Sequence, residues 1–407
     1  MRDEEAAITS RLSAKSGTTI LTAVAIMLVA ANLRPAVVAV APLVDDISKA
    51  TGWSAATTGL LTTLPVLMFG LAAPLAPRMA ARFGIERTVF GALVLLTAAI
   101  TLRLFGNSAA LFAGSILIGL AIGVCNVVLP ALIKRDFEHR SGLMTGLYSM
   151  TLSGGAAAAA ALSVQISDSL GGNWRQALAV WALFALCALL AWVPQLRRVH
   201  RIEISRRASS LWRNPVAWAV TGFMATQSFI FFAFVAWLPQ YLIDRGTTPA
   251  HAGAVLAVGQ VAALVMSLMA PVIAGRFADQ RWLTFAMLAV CAAGFVGLLT
   301  TDRFAVLWVA LILAGPGASI GLALLFMVLR STSAVQTSQV SGMAQSTGYV
   351  LAAVGPVAIG ALHDATGSWA TAMAAVGLVL VPQALSTVLA GKNITMQTNP
   401  RKVHARQ

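Results

Sequence analysis

One arginine stands where a charge is costly. The stretch VAANLRPAVVAVAP, residues 29–42, places Arg34 inside an apolar run from Ile20 to Val44 that holds no acidic residue. At 1.5 Å per helical residue, Arg34 lies about 21 Å from the start of that run and about 15 Å from its end. A side chain at that depth reaches the nearest interface only with difficulty. Asp45 and Asp46 are about 16 Å further along the same helix. A charge at the centre of a bilayer costs roughly 2.5–3.5 kcal/mol on insertion scales, so such a residue faces a wet cavity or a partner. A guanidinium offers five N–H donors in a flat fork. It suits an anion, or a planar electronegative group such as a carboxylate or a nitro group. The plainer reading is that Arg34 holds carbonyls of a broken helix. Pro35 removes the helical partner of the Ala31 carbonyl, which bends the chain here and opens room for a ligand.

Other polar residues stand at similar depth in their own apolar runs. Asn126 and Gln227 are able to hydrogen-bond a neutral or anionic group, and Gln260 is a third amide of this kind. Gln345 and Tyr349 are four residues apart and share one helix face. Tyr148 and Tyr349 are two of only three tyrosines in the chain. Asn32 is close to Arg34 in sequence, but about 200° around the helix from it, so the two line one cavity only if the helix bends. For all of these, hydrogen-bonded packing between helices is the competing role.

These residues need elements that hold them inside a membrane. The chain has 407 residues, 58% hydrophobic and 10% charged. Soluble domains carry about 25% charged residues, so this chain reads as a polytopic membrane protein. Twelve apolar runs of spanning length occur, at 20–44, 55–77, 87–105, 109–133, 142–166, 174–195, 215–243, 250–274, 283–300, 304–329, 341–362 and 369–390. The first follows Arg2, Arg11 and Lys15 and is too long for a signal peptide, so it reads as a retained span.

The net charge of +14 is a topology signal. With the N-terminus in the cytoplasm, 22 of the 28 lysines and arginines fall on the cytoplasmic side, five fall opposite (Lys49, Arg103, Arg175, Arg245, Arg303), and Arg34 remains. That distribution argues against nucleic acid as a partner. The partners read from sequence are a small-molecule substrate and the lipid bilayer. Eight of the ten tryptophans, Trp192 among them, fall near predicted span ends, as interfacial anchors do. Cys125, Cys187 and Cys291 lie far apart inside apolar runs, with no metal-ligand spacing, and no cofactor motif is present.

The two halves echo each other at a period near 200. SGLMTGLYS begins at Ser141 and SGMAQSTGY at Ser341; VPQ recurs at Val193 and Val381. Two six-span repeats place a binding site at their interface near the midplane. The expected units are 1–196, a basic cytoplasmic linker at 197–213, and 214–407. Glycines at Gly114, Gly119, Gly123, Gly142, Gly146, Gly154 and Gly155 predict close helix contacts in the fourth and fifth spans.

Twelve spans in this arrangement resemble the major facilitator superfamily, over essentially the whole chain. That family carries a loop of the form Gly-x-x-x-Asp-Arg-x-Gly-Arg-Arg between spans two and three. Here PRMAARFGIER keeps Arg82, Gly84 and Arg87, with Pro77 and Ala81 in place of the glycine and the aspartate. The second copy, GRFADQR, keeps Gly275 and Asp279. Three further strings, NLRP, TGLLTTLP at 58–65 and GVCNVVLPALIKRDF at 123–137, are similar to the cyanate-permease and 2-nitroimidazole-exporter branch. The resemblance implies an all-α integral membrane fold in two six-helix bundles, a monomer in the bacterial inner membrane, and alternating access around a central site. The loop residues become gating contacts.

Arg34 suits a small anionic solute or a planar carboxylate or nitro compound, and the resemblance implies a small nitrogen-containing solute, with efflux of nitroimidazole-type or other aromatic compounds as the alternative. With no Asp, Glu or His in mid-span, a titrating proton relay is disfavoured. Uniport, anion exchange and carriage of the substrate's own proton stay open. An enzyme would need a nucleophile with its base, or a metal cluster, at depth, and the sequence offers neither. A transport-dead sensor is the remaining class.

Overall fold

The computed structural model describes residues 20–53, 55–105, 107–198, 211–301 and 303–396. Among them there are helices and no strand. The spans are numbered here α1 to α12. The first, α1, is Ile20–Leu43, followed by α2 Ala55–Ala72, α3 Ile85–Leu102, α4 Ser108–Asp136, α5 Ser141–Ser169 and α6 Trp174–Trp192. The second six are α7 Pro215–Asp244, α8 Pro249–Ala274, α9 Arg281–Thr300, α10 Ala305–Leu329, α11 Ala334–Thr366 and α12 Trp369–Ala390, the last interrupted at Val379. Eleven are long and apolar enough to cross a membrane alone. The remaining one, α2, passes only together with the short helix Ala76–Phe83, from which it is bent by 57°.

Polar side chains set the starts of these helices. Oxygen atoms of Asn107, Asn173, Asn214, Thr248, Ser333 and Ser368 accept from backbone N–H groups in the first turns of α4, α6, α7, α8, α11 and α12. Each fills a donor that a helix start leaves unpaired. The Ser333 cap also explains why α11 begins seven residues before its apolar run. The polar stretch from Ala334 to Val340 is helical although it is not hydrophobic.

Packing runs first within each set of six. In the first, α4 lies on α2 and α3, and α3 on α6; in the second, α10 lies on α8 and α9, and α7 on α11 and α12. The most enclosed helices are α4 and α10, each with 83% of its span window buried. The sets meet where α5 packs on α8 and α10, and where α11 packs on α2 and α4. The basic linker at 197–213 lies mostly outside the described residues, as do Arg2, Arg11, Lys15 and the basic C-terminal tail.

Three residues assigned to span ends by sequence turn inward. Arg103 and Arg330, expected as charges facing the two sides of the membrane, are 1% and 2% exposed. Each guanidinium folds back onto free helix carbonyls: Arg103 donates to Ala36 O at 2.6 Å, and Arg330 Nε to Ala390 O at 2.8 Å. Trp192, expected at the bilayer interface, is fully buried, and its indole N–H donates to the Glu86 carbonyl at 3.0 Å. The Glu86 carboxylate takes Arg135 Nη1 at 2.7 Å. An indole or guanidinium at a span end reads as an anchor in sequence. For the two guanidinium groups an unpaired carbonyl within reach is the stronger attraction.

Candidate functional site

The site starts with a break in α1. Residues 20–32 are helical, residues 33–34 form a turn, and Pro35–Val38 makes one further turn of helix. Arg34 caps that turn with φ −124° and ψ −36°, and its carbonyl accepts from Val37 N and Val38 N. Pro35 has no N–H, so Ala31 O has lost its helical donor. The helix α5 comes directly against this exposed carbonyl: a Cβ on Gly155 would lie 2.2 Å from Ala31 O. Only glycine fits there.

Arg34 is half-buried between buried neighbours, and its Nε is buried without a hydrogen-bond partner. Among the described residues it forms no ion pair. Its charge acts on the hydroxyls of both Tyr148 and Tyr349. Those two phenols meet at one amide. Tyr148 Oη donates to Asn126 Oδ1 at 3.4 Å, and Asn126 Nδ2 donates to Tyr349 Oη at 3.3 Å. Both bonds are longer than the usual range, so both are weak. Gln345 Nε2 donates to the main-chain carbonyl of Asn126 at 2.7 Å and to Ser341 Oγ at 2.8 Å. The Asn126 carbonyl is available because Pro130, four residues on, lacks the N–H that would have taken it. Phe69 on α2 meets the Tyr349 ring edge-on at 5.1 Å.

The structure therefore joins Asn126, Tyr148, Gln345 and Tyr349 by hydrogen bonds, with Arg34 within electrostatic reach of the two tyrosines. Three of the sequence candidates stand apart. Asn32 is turned onto its own helix, Nδ2 donating to Leu28 O at 2.8 Å. Gln227 is spent on α7, on Ser228 Oγ at 2.8 Å and Met224 Sδ at 3.3 Å. Gln260 is half-buried on α8, outside the network.

The candidate gating residues sit at the end of the bundle that carries the α2–α3 and α8–α9 loops. Gly84 turns the chain between Phe83 and Ile85 at φ +89°, a conformation that favours glycine. Arg82 stacks on its neighbour Phe83, its guanidinium carbon 5.3 Å from the ring centroid, and Arg87 is exposed. Asp279 pairs with Arg281 at 2.7 Å, and that bond holds its carboxyl below the usual carboxylate range. Gly275 touches Gly142 of α5, with a Cβ built on either lying 2.8 Å from the other's Cα. The counterpart at the other seam is Gly342 of α11, whose Cβ would lie 2.9 Å from Ala73 O. The contacts of Gly146 with Leu268 and of Gly70 with Ser346 belong to the same half of the bundle. Sequence reasoning placed Arg103 at the end of the third span, on the side opposite the cytoplasm, although it holds the far side of the α1 break. Its one signal was its place as the sole basic residue between α3 and α4.

A helical membrane bundle with polar side chains gathered in the middle, near a cation that has no ion pair among the described residues, has the build of a solute carrier. The chain belongs to the major facilitator superfamily, whose pattern it matches over residues 18–356. It is 39% identical over 372 residues to the 2-nitroimidazole transporter of Escherichia coli (strain K12), covering 90% of this chain and 94% of that protein. It is 30% identical over 370 residues to the cyanate transport protein CynX of the same organism, covering 88% and 94%. Among solved structures it superposes on the proton:xylose symporter XylE with a TM-score of 0.75, at 14% identity, over 94% of this chain and 98% of that one. This last likeness speaks for the fold alone. The protein is a multi-pass membrane transporter of small solutes, and not an enzyme.

Proposed function

We propose that the protein moves a small anionic or nitrogen-containing solute, of the cyanate, carboxylate or nitro class, by alternating access, with Arg34 as the central ligand. The observation that carries this reading is the Arg34 guanidinium, at mid-depth and, among the described residues, with no ion pair and with an unpartnered Nε. A bound anion supplies the missing charge and takes up the free donors. Asn126, Tyr148 and Tyr349 complete the site with an amide and two hydroxyls, and Phe69 gives it an aromatic wall. The named contacts between the two six-helix sets lie toward the end bearing the α2–α3 and α4–α5 loops. With that basic end in the cytoplasm, in the inner membrane of a bacterium, these contacts close the cytoplasmic side. The units are 1–196 and 214–407, rocking about the contacts of α2 with α11 and α5 with α8.

Thermal-shift screening with cyanate, benzoate and 2-nitroimidazole selects the probe, since a ligand bound only by the folded form raises its Tm. Transport of that probe is then measured in proteoliposomes with Arg34→Ala and Arg34→Lys. Loss of a charged hydrogen-bonding donor raises KM roughly 10- to 100-fold for the alanine variant. The lysine variant, with a point charge in place of the fork, retains part of the activity. If both variants transport normally at equal protein level, Arg34 is not the ligand.

The second reading is efflux of nitroimidazole-type or other aromatic drugs. It is favoured by the 39% identity to a 2-nitroimidazole transporter and by the three aromatic rings at the site. Competition separates the two: small inorganic anions inhibit transport under the first reading and leave it unchanged under the second.

A further inference from the structure

The fold holds a second cation at depth that the transport reading does not use. Arg103 follows the last turn of α3 and is 1% exposed. Its Nη1 donates to Ala36 O at 2.6 Å and its Nη2 to Ser115 Oγ of α4 at 2.8 Å. Ser115 Oγ in turn donates to Leu111 O at 2.8 Å, which fixes the hydroxyl as an acceptor for the guanidinium. Among the described residues Arg103 has no carboxylate partner. Space for it is made on α4, where a Cβ on Gly114 would lie 3.0 Å from Arg103 Cγ and 2.8 Å from Ala99 O.

The carbonyl it takes is a particular one. Ala36 is the second residue of the single helical turn that starts after Arg34. In a continuous helix its oxygen would accept from Val40 N, but Val40 N bonds to Val37 O at 3.4 Å instead. The broken helix thus presents two loose ends: Ala31 O, lost to Pro35 and pressed against Gly155, and Ala36 O, held by Arg103. Arg34 lies between them. The Nε of Arg103 is buried without a hydrogen-bond partner, so the two Nη bonds are what offset the cost of burying this guanidinium, and they fix the backbone immediately after the site.

We infer that Arg103 is a positioning residue: by holding the Ala36 carbonyl to α3 and α4, it sets the short turn Pro35–Val38 and through it the direction in which Arg34 points. This inference rests on the reading of Arg34 as substrate ligand. The test uses the full-length protein in nanodiscs with Arg103→Met, Arg103→Lys and Ser115→Ala, and cyanate as probe. Backbone deuterium exchange of residues 37–43 is expected to rise about 10- to 100-fold in Arg103→Met, the worth of a hydrogen bond from a charged donor. Arg103→Lys restores most of that protection, because one ammonium donor still reaches the carbonyl. Ser115→Ala, which leaves Ala36 bonded, gives a smaller rise and keeps the test in force if Arg103→Met does not fold. The apparent affinity for cyanate falls with the loss of protection, and falls no further when Arg103→Lys or Ser115→Ala is combined with Arg34→Ala than with Arg34→Ala alone.

Unchanged exchange at 37–43 in all folded variants overturns the inference. So does a rise spread equally through α3 and α4, which would make Arg103 a general packing residue. If exchange rises only at 37–43, but cyanate binding to the parent protein proves independent of Arg34, the hold on the break stands and the transport reading fails.

Discussion

At the residue scale the site is a set of weak bonds around one strong charge. Tyr148 and Tyr349 share the Asn126 amide at 3.4 and 3.3 Å, yet the two bonds differ in what they join. Tyr148 and Asn126 belong to the same six-helix set, whereas Tyr349 reaches across from the other. Tyr148→Phe and Tyr349→Phe are each expected to lower stability by about 0.5–1.5 kcal/mol, read as a fall in Tm. Only Tyr349→Phe loosens the seam. Cys125, next to Asn126 and 1% exposed, reports on it. In a Cys187→Ser background, maleimide labelling of Cys125 accelerates in Tyr349→Phe and not in Tyr148→Phe. Equal labelling in the two variants would show that the bond does not hold the sets together. The tyrosines and Arg34 stood out in the sequence because each is rare in its surroundings. Asn32, Gln227 and Gln260 stood out in the same way. A single amide in an apolar helix does not reveal which way it points, and Asn32 and Gln227 are turned onto their own helices.

At the element scale the spans were legible because burial in lipid demands about 20 apolar residues, and that pattern survives without any knowledge of packing. The breaks were half legible. Proline identified the carbonyls that lose their helical donor but not what would take them. Asn126 O, freed by Pro130, is taken by Gln345, and Ile312 O, freed by Pro316, accepts from Cys291 Sγ at 3.3 Å. Those partners lie on other helices, 219 and 21 residues away, so no local pattern names them. Gly154 and Gly155 make the point experimentally. Neighbours in sequence, they face opposite surroundings: a Cβ at Gly155 meets Ala31 O at 2.2 Å, and one at Gly154 meets nothing within 4 Å. Gly155→Ala is expected to destabilise by about 1–3 kcal/mol through overpacking. Gly154→Ala is expected to be neutral or to stabilise by up to roughly 1 kcal/mol through helix propensity. Thermal unfolding in detergent checks both, and equal Tm values for the two variants would refute the close approach of α5 to α1.

At the scale of the whole molecule, the described carboxylates lie at or beyond the span ends. Asp279 is held below the usual carboxylate range by Arg281, and Glu138 by Lys134. A depressed carboxyl contributes in full above its unfolded value, about 4, and loses that contribution only as the pH falls through its folded value. Neither titrates near neutrality. Transport of a probe whose own charge is constant is therefore expected to stay level from about pH 6 to pH 8, measured in proteoliposomes with equal pH on both sides. A steep dependence would require a titrating group in the path. The seam between the two sets has a mechanical consequence of its own. Where Gly142 lies on Gly275, and Gly342 on Ala73, main chain rests on main chain at those two points. Surfaces that do not mesh part without any rotamer having to turn, and they uncover little greasy area when they do. At those two points the joint is smooth where an ordinary helix interface is toothed, and side-chain bonds cross it where they gather at Asn126.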